Sequence, residues 1–396
     1  MHLKQSHRLE DSNLPHRIFH RIKGKIQGPT VVFFAGIHGN EYAGVDALNS
    51  LLPKFNADDF RGEVLGIYGN IKALSQRKRF IDCDLNRVWT KEQLKGVENL
   101  KQPNSEQLEQ KSLYATIKDI LNSSQGPFYF IDLHTTSSKT LPFITINDAL
   151  INRRFSSCFN IPVVLGIEEY LEGPLLSYLN TLGYVSLGFE AGQHNDPLAV
   201  KNCEAFIFLV FKHSGVLEKQ NTHKAKAYQQ ILKSSSNDIN SIFEVVYKYH
   251  IKPFEDFKML SGFKSFHPIR KGIKLALSNN QPVYSKFSGQ LFMPLYQKSG
   301  NDGFFIIRKI PNFFLKLSKW LRTIKFDSVL TLLPGISWYD KPQGILKANL
   351  VVARYLTKPI FHLLGYRNKR QDKNHLLLYN RERVAKKRMY EHEKWY

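Results

Sequence analysis

The chain has 396 residues, enough for two domains or for one large catalytic domain with an appendage. A hydrophobic fraction of 42% permits a buried core, and no apolar run approaches the roughly 20 residues a membrane-spanning helix requires. The net charge of +22 and pI near 9.7 favour anionic ligands or phosphate-bearing surfaces and leave the fold open.

Residues 1–30 read as a polar lead-in with an edge strand near 17–22. Met1 to Arg21 lacks the apolar segment of a secretory leader. Val31-Val32-Phe33-Phe34 is a continuous apolar run, the pattern of a strand covered on both faces. Gly36-Ile37-His38-Gly39-Asn40-Glu41 follows, and a helix is expected from there to about Leu52. A second strand is expected over 62–69. The stretch 77–87, dense in Arg, Lys and Asp, has neither period and reads as a loop lining the working face of a sheet.

Residues 90–125 are helix-permissive. Strands are expected at 128–134, 162–165 and 184–190, with a helix near 197–213. This alternation indicates an α/β domain, with His38, His134 and Glu190 at strand ends where ligands of open sheets bind. The polar 219–242 reads as a linker or arm. Short strands from 243 to about 310, divided by Pro, Gly and Asn-Asn turns, suggest a small β-rich domain. A basic amphipathic helix is expected at 313–322. Ten Lys and Arg against four acids mark 367–396 as a basic, helix-permissive tail. The expected division is a catalytic domain at 1–218, the arm at 219–242, a β-rich domain at 243–322 and a basic helical extension at 323–396. Three cysteines, Cys83, Cys158 and Cys203, with no Cys-x-x-Cys pair, point to a reducing, cytoplasmic setting.

Zinc-assisted amide hydrolysis needs three protein ligands, a carboxylate to move the water's proton, a cation for the oxyanion and, for an anionic substrate, a carboxylate clamp. The chain offers His38, Glu41 and His134 as ligands, Glu190 as base, Arg79 for the oxyanion, and Asn86 with Arg87 as clamp. Asp132 is either a support for a ligand or a solvent-facing acid. Cys83, between two aspartates, is read as packing, and His194 and His267 are assigned nothing.

Four blocks carry a resemblance: Gly36-Ile37-His38-Gly39-Asn40-Glu41, Asp82-Cys83-Asp84-Leu85-Asn86-Arg87, Asp132-Leu133-His134-Thr135-Thr136-Ser137 and Gly188-Phe189-Glu190-Ala191-Gly192. In this order they resemble the signature of the succinylglutamate desuccinylase/aspartoacylase family, a branch of the zinc carboxypeptidase-like hydrolases. The resemblance implies a carboxypeptidase-like mixed sheet flanked by helices, one Zn2+ per chain, and cleavage of the amide of a small anionic N-acyl amino acid. It assigns His38, Glu41 and His134 to the metal, Glu190 to proton transfer, Arg79 to the scissile carbonyl, and Asn86 and Arg87 to a substrate carboxylate. Two departures stand out. Aspartoacylase-type members carry an arginine about ten residues before the catalytic glutamate, where ungapped counting gives Asn180. An aromatic hydroxyl from the second domain is also missing, with Phe313-Phe314 in its neighbourhood. Both argue against N-acetylaspartate as substrate.

Two rival readings are a carboxypeptidase acting on peptides and an idle binding protein docked at acidic surfaces through its tail. The tail itself leaves three readings open: a solvated helical face, attraction to an acidic membrane surface aided by 313–322, and nucleic-acid contact, which no recognition module supports.

Overall fold

An apolar residue at every position of 31–34 forces a strand to be covered on both faces. In the computed structural model, which describes residues 16–298, 300–352, 358–370 and 374–396, these side chains are fully buried on an interior strand of a large sheet. Strands β1 (Ile18–Lys23), β2 (Ile26–Ala35), β3 (Arg61–Tyr68), β4 (Phe128–Thr136), β5 (Phe143–Ile146), β6 (Val163–Leu165), β7 (Val185–Gln193) and β8 (Ile242–His250) lie in the order β1-β3-β2-β4-β7-β5-β6-β8. Neighbours β3, β2, β4 and β7 run parallel, so their carboxyl ends share one edge.

Val31 and Phe33 pack under helices Ala43–Leu51 and Pro197–Ser214. Val32 and Phe34 face helix Ser105–Ser123 through Leu113, Ile117 and Ile120. Alternate residues of one strand thus anchor two helical layers, the α/β sandwich that the alternation of elements predicts. β5 escaped the sequence reading because it is four residues long and follows a proline. The arm at 219–242 carries helix Ala225–Ser235, laid against Pro197–Ser214.

From 242 the chain first extends the existing sheet. β8 adds parallel to β6, and strands Asp302–Lys309, Gly289–Phe292 and Pro268–Ile269 prolong the same sheet to 11 strands. A three-stranded antiparallel sheet formed by Phe257–Met259, Lys274–Ser278 and Gln281–Tyr284 packs at this end.

The C-terminal extension departs from the helical expectation. Helix Asn312–Thr323 forms, but beyond it lies a four-stranded antiparallel sheet of Ile336–Asp340, Ile345–Asn349, His375–Asn380 and Tyr366–Arg370. Leu346, Ala348, Tyr366 and Leu378 close a small core over Phe361. The strands are short, and Ile345–Asn349 pairs with His375–Asn380, distant in sequence, which no local period reports. The last residues fold back onto strands β4 and β7 of the large sheet. The Tyr390 hydroxyl accepts from Val185 N at 2.9 Å and donates to Phe128 O, and Trp395 Nε1 donates to Tyr129 Oη at 3.2 Å. The extension is also pinned by charge. Buried Asp148 faces Arg153 at 2.6 Å, Arg322 of helix Asn312–Thr323 at 2.8 Å and Arg367 of the extension at 3.2 Å. The lead-in 1–15 lies outside the described residues, as do 371–373 of the basic tail. Among the described residues no helix is long and apolar enough to cross a membrane.

Candidate metal centre and active site

His38 leaves the end of β2 through a turn that glycine makes possible at two points. Gly36 has φ of 72°, the left-handed region that an L side chain resists. Gly39 serves by close approach instead: a Cβ there would lie 2.1 Å from the carbonyl carbon of Ala73 and 2.4 Å from Lys78 O. Tyr42 then caps helix Ala43–Leu51, so Glu41 sits one residue before it and points back at the strand end.

The three expected ligands meet. Their donor atoms lie within 4.8 Å of one another, all from buried residues. His38 Nδ1 is 2.8 Å from Glu41 Oε1, and His134 Nδ1 is 3.0 Å from Glu41 Oε2. The far nitrogens are held by carboxylates: His38 Nε2 is 3.0 Å from Asp84 Oδ1, and His134 Nε2 is 2.9 Å from Asp132 Oδ2. Asp132 is therefore buried behind a histidine and not exposed to solvent. Outer carboxylates that hold Nε2–H leave each Nδ1 lone pair free to face inward, the tautomer a cation requires. Burial would push the Glu41 carboxyl up, but the two imidazoles outweigh it and hold it well below the usual carboxylate range. For His134, burial opposes charge, and Asp132 with Glu41 raises the ring well above its ordinary value. With the ring proton displaced by the ion, two imidazole nitrogens and one carboxylate are a donor set that zinc accepts, with room for a further ligand. The residues present fit a metal ion.

Glu190 extends from β7 beside His134, its register partner on β4. Its Oε2 is buried and without a hydrogen-bond partner, and burial pushes the carboxyl up to about 8. Arg79 approaches from the loop, with Nη2 at 3.0 Å from both His38 Nε2 and Asp84 Oδ2, and Nη1 at 3.5 Å from Glu41 Oε1. Its Nε is buried with no partner. Asp84 is held well below the carboxylate range: burial raises it, but His38, Arg79 and Arg87 prevail.

All seven expected site residues line one cavity of about 430 Å³. Asn86 and Arg87 stand on its wall already engaged. Asn86 Oδ1 accepts from Leu175 N at 2.8 Å, and Arg87 Nη2 is 3.2 Å from Asp302 Oδ2. The opposite wall comes from the prolonged part of the sheet: Met293, Leu295, Gln297, Asp302 and Phe305. No aromatic hydroxyl is among the described lining residues, in keeping with the second sequence departure. Phe313 and Phe314 are exposed and line no part of it. Asn180 likewise lies away from the cavity, buried with Oδ1 accepting from Asn152 Nδ2 at 2.6 Å. Ungapped counting therefore picked an interior amide and not a substrate position.

Two participants were missed. His194 lines the cavity, with Nδ1 2.8 Å from Thr135 Oγ1 and Nε2 3.3 Å from Gln297 Oε1. Its place two residues after the Gly188–Gly192 block was the available signal. Glu106, fully buried on helix Ser105–Ser123, accepts from the backbone nitrogens of Ile81 at 2.7 Å, Asp82 at 2.9 Å and Cys83 at 3.1 Å, and from Asn70 Nδ2 at 2.9 Å. It fixes the loop that presents Arg79 and Asp84. Nothing in its neighbourhood separated it from an ordinary helix-surface glutamate.

Residues 27–207 match the model of the succinylglutamate desuccinylase/aspartoacylase catalytic domain. A probable aspartoacylase of Acaryochloris marina is 30% identical over 165 residues, 39% of this chain and 52% of that protein. Aspartoacylase of Rattus norvegicus is 30% identical over 174 residues, 41% of this chain and 54% of that protein. The chain thus spans about half the length of the curated relatives it matches. A succinylglutamate desuccinylase/aspartoacylase structure from Rhodobacter sphaeroides superposes with a TM-score of 0.56 at 17% identity, covering 73% of this chain and 88% of that one. The product-bound ectoine utilization protein EutE (DoeB) from Ruegeria pomeroyi gives 0.55 at 18%, covering 73% and 87%. At such identities these two show a shared fold.

Proposed function

We propose that this chain is a zinc-dependent deacylase of small, carboxylate-bearing N-acyl amino acids, a reading supported by the match of residues 27–207 to the succinylglutamate desuccinylase/aspartoacylase catalytic-domain model. The observation that carries the reading is the buried meeting of His38, Glu41 and His134, with the unpartnered carboxylate of Glu190 beside it. His38, Glu41 and His134 would hold one zinc ion. When bound, zinc supplies a Lewis acid and lowers the pKa of water.

The rest is the work of the chain's own groups. Glu190 Oε2, buried and lacking a partner, takes the proton of an attacking water and returns it to the departing amine. A carboxyl whose pKa is raised by burial is suited to both halves of that exchange. Arg79 lies close enough to the ligand cluster to receive charge developing on the carbonyl oxygen. Asp84 and Asp132 orient the two imidazoles. Arg87, with Asn86 fixing its segment, offers a guanidinium to the substrate carboxylate, while Asp302 sets its direction. A cavity of about 430 Å³ suits an acylated amino acid. The three free cysteines fit a cytoplasmic setting.

The test is metal analysis together with a screen of N-acyl amino acids against C-terminal peptides, on native chain and Glu190→Gln. About one zinc per chain in both proteins, with turnover of N-acyl amino acids lowered roughly 10²-fold or more in the variant, is expected. A metal-free chain, or a variant of unchanged turnover, overturns the proposal.

A further inference from the structure

We propose that the face formed by helix Asn312–Thr323 and the following 3₁₀ segment Phe326–Leu332 docks on an anionic lipid surface. The helix is amphipathic, but its apolar stripe points away from the protein. Phe313, Leu317, Trp320 and Ile324 recur at spacings of 4, 3 and 4 residues and fall within about 60° of the helix circumference. Phe313 is 68% exposed, Trp320 58% and Ile324 51%. The buried residues of this helix are Ser318 and Arg322. Arg322 is held inward by Asp148, with Nη2 2.8 Å from Oδ2. A helix that needed its apolar side for folding would be turned the other way.

The adjoining segment repeats the pattern. Phe326, Val329 and Leu332 follow one another at the three-residue period of a 3₁₀ helix and are exposed, Leu332 at 81%. Together the two elements expose Phe313, Trp320, Ile324, Phe326, Val329 and Leu332, a density of large apolar side chains that marks an interaction site.

Charge selects the occupant. Lys316 borders the stripe, Lys319 lies further round the helix and Lys325 follows it, all exposed, and residues 312–326 contain no acid. The first acid, Asp327, is buried and answered by Arg383 Nη2 at 2.9 Å and the Tyr366 hydroxyl at 2.9 Å. Aromatic and aliphatic groups ringed by lysines match a headgroup layer of negative phosphates over hydrocarbon. A second copy of this chain would bring lysine against lysine.

The test is co-sedimentation of the full-length, metal-loaded protein with vesicles of phosphatidylcholine alone and with added phosphatidylglycerol. Binding only to the anionic vesicles, weakened by salt, is expected, with a blue shift of tryptophan emission that Trp320→Phe removes. A triple variant, Phe313→Ser with Trp320→Ser and Ile324→Ser, and a double variant, Lys316→Glu with Lys319→Glu, should each lower partitioning roughly tenfold or more while thermal midpoint and turnover stay unchanged. Binding equal in native and double-variant protein, or none to anionic vesicles, overturns the proposal. A lipid-free dimer abolished by the triple variant overturns it in favour of a second copy.

Discussion

Replacing Glu106 by Gln should loosen the loop that carries Arg79 and Asp84 without unfolding the sheet. The carboxylate accepts four hydrogen bonds inside the protein, three of them from consecutive backbone nitrogens of residues 81–83. Glutamine keeps one oxygen, which can retain the bonds from Asn70 and Ile81. At the other position it places an N–H against the nitrogens of Asp82 and Cys83. Hydrogen bonds to a charged acceptor contribute about 1.5–3 kcal/mol each, so the two lost bonds amount to about 3–6 kcal/mol, with further cost from the donors left buried. The opening equilibrium of the loop should then rise by at least about two powers of ten. Hydrogen exchange reads this directly. Amides of residues 81–83 should lose protection by about that factor while those of β2 and β4 keep theirs, and kcat/KM should fall in parallel. Unchanged exchange at 81–83 would refute the assignment of Glu106 as the loop's anchor.

Asp148→Ala removes the carboxylate that Arg153, Arg322 and Arg367 share and should cost about 3–5 kcal/mol, read as a lowered denaturation midpoint and faster proteolysis within the extension. An unmoved midpoint would contradict the pinning role. Gly39→Ala drives a Cβ into backbone atoms of Ala73 and Lys78. It should destabilise by about 1–3 kcal/mol and weaken zinc retention through His38, measured by competition with a chelator. His213 supplies a pH test. Burial pushes its ring from 6.5 down to about 4, so between those values the unfolded chain binds a proton that the folded chain refuses. Stability should therefore fall as pH drops through that window, by about 3 kcal/mol in all, and His213→Leu should flatten the slope in urea titrations at a series of pH values. A slope that persists in the variant assigns it elsewhere.

The parts of this molecule legible in sequence are those where a period or a fixed spacing reports geometry. Unbroken apolar runs marked β2 and β4, and strand-end positions grouped His38, His134 and Glu190 before any contact was known. What escaped depends on partners distant in sequence. The carboxylate of Glu106 becomes informative only when the loop at 81–83 is seen folded over it. His194 acquires a place because Thr135 and Gln297 flank it. Counting backward from Glu190 reached Asn180, whereas residues of the 167–177 segment, Glu168 and Ser177 among them, are the ones that reach the cavity. The sheet of the extension was obscured for another reason: pairing of Leu346 with Leu378 is non-local.

One architectural detail bears on how ligands come and go. β6 pairs with β8 from Val163 beside Ile242 to Leu165 beside Glu244, so the strands beneath the cavity and those over it are stitched by backbone hydrogen bonds. Arg87 to Asp302 and His194 to Gln297 add clasps across the gap. A hinged jaw would have to tear that seam. Admission is therefore left to side chains and short loops at a fixed aperture, which sorts candidates by girth before any chemistry begins.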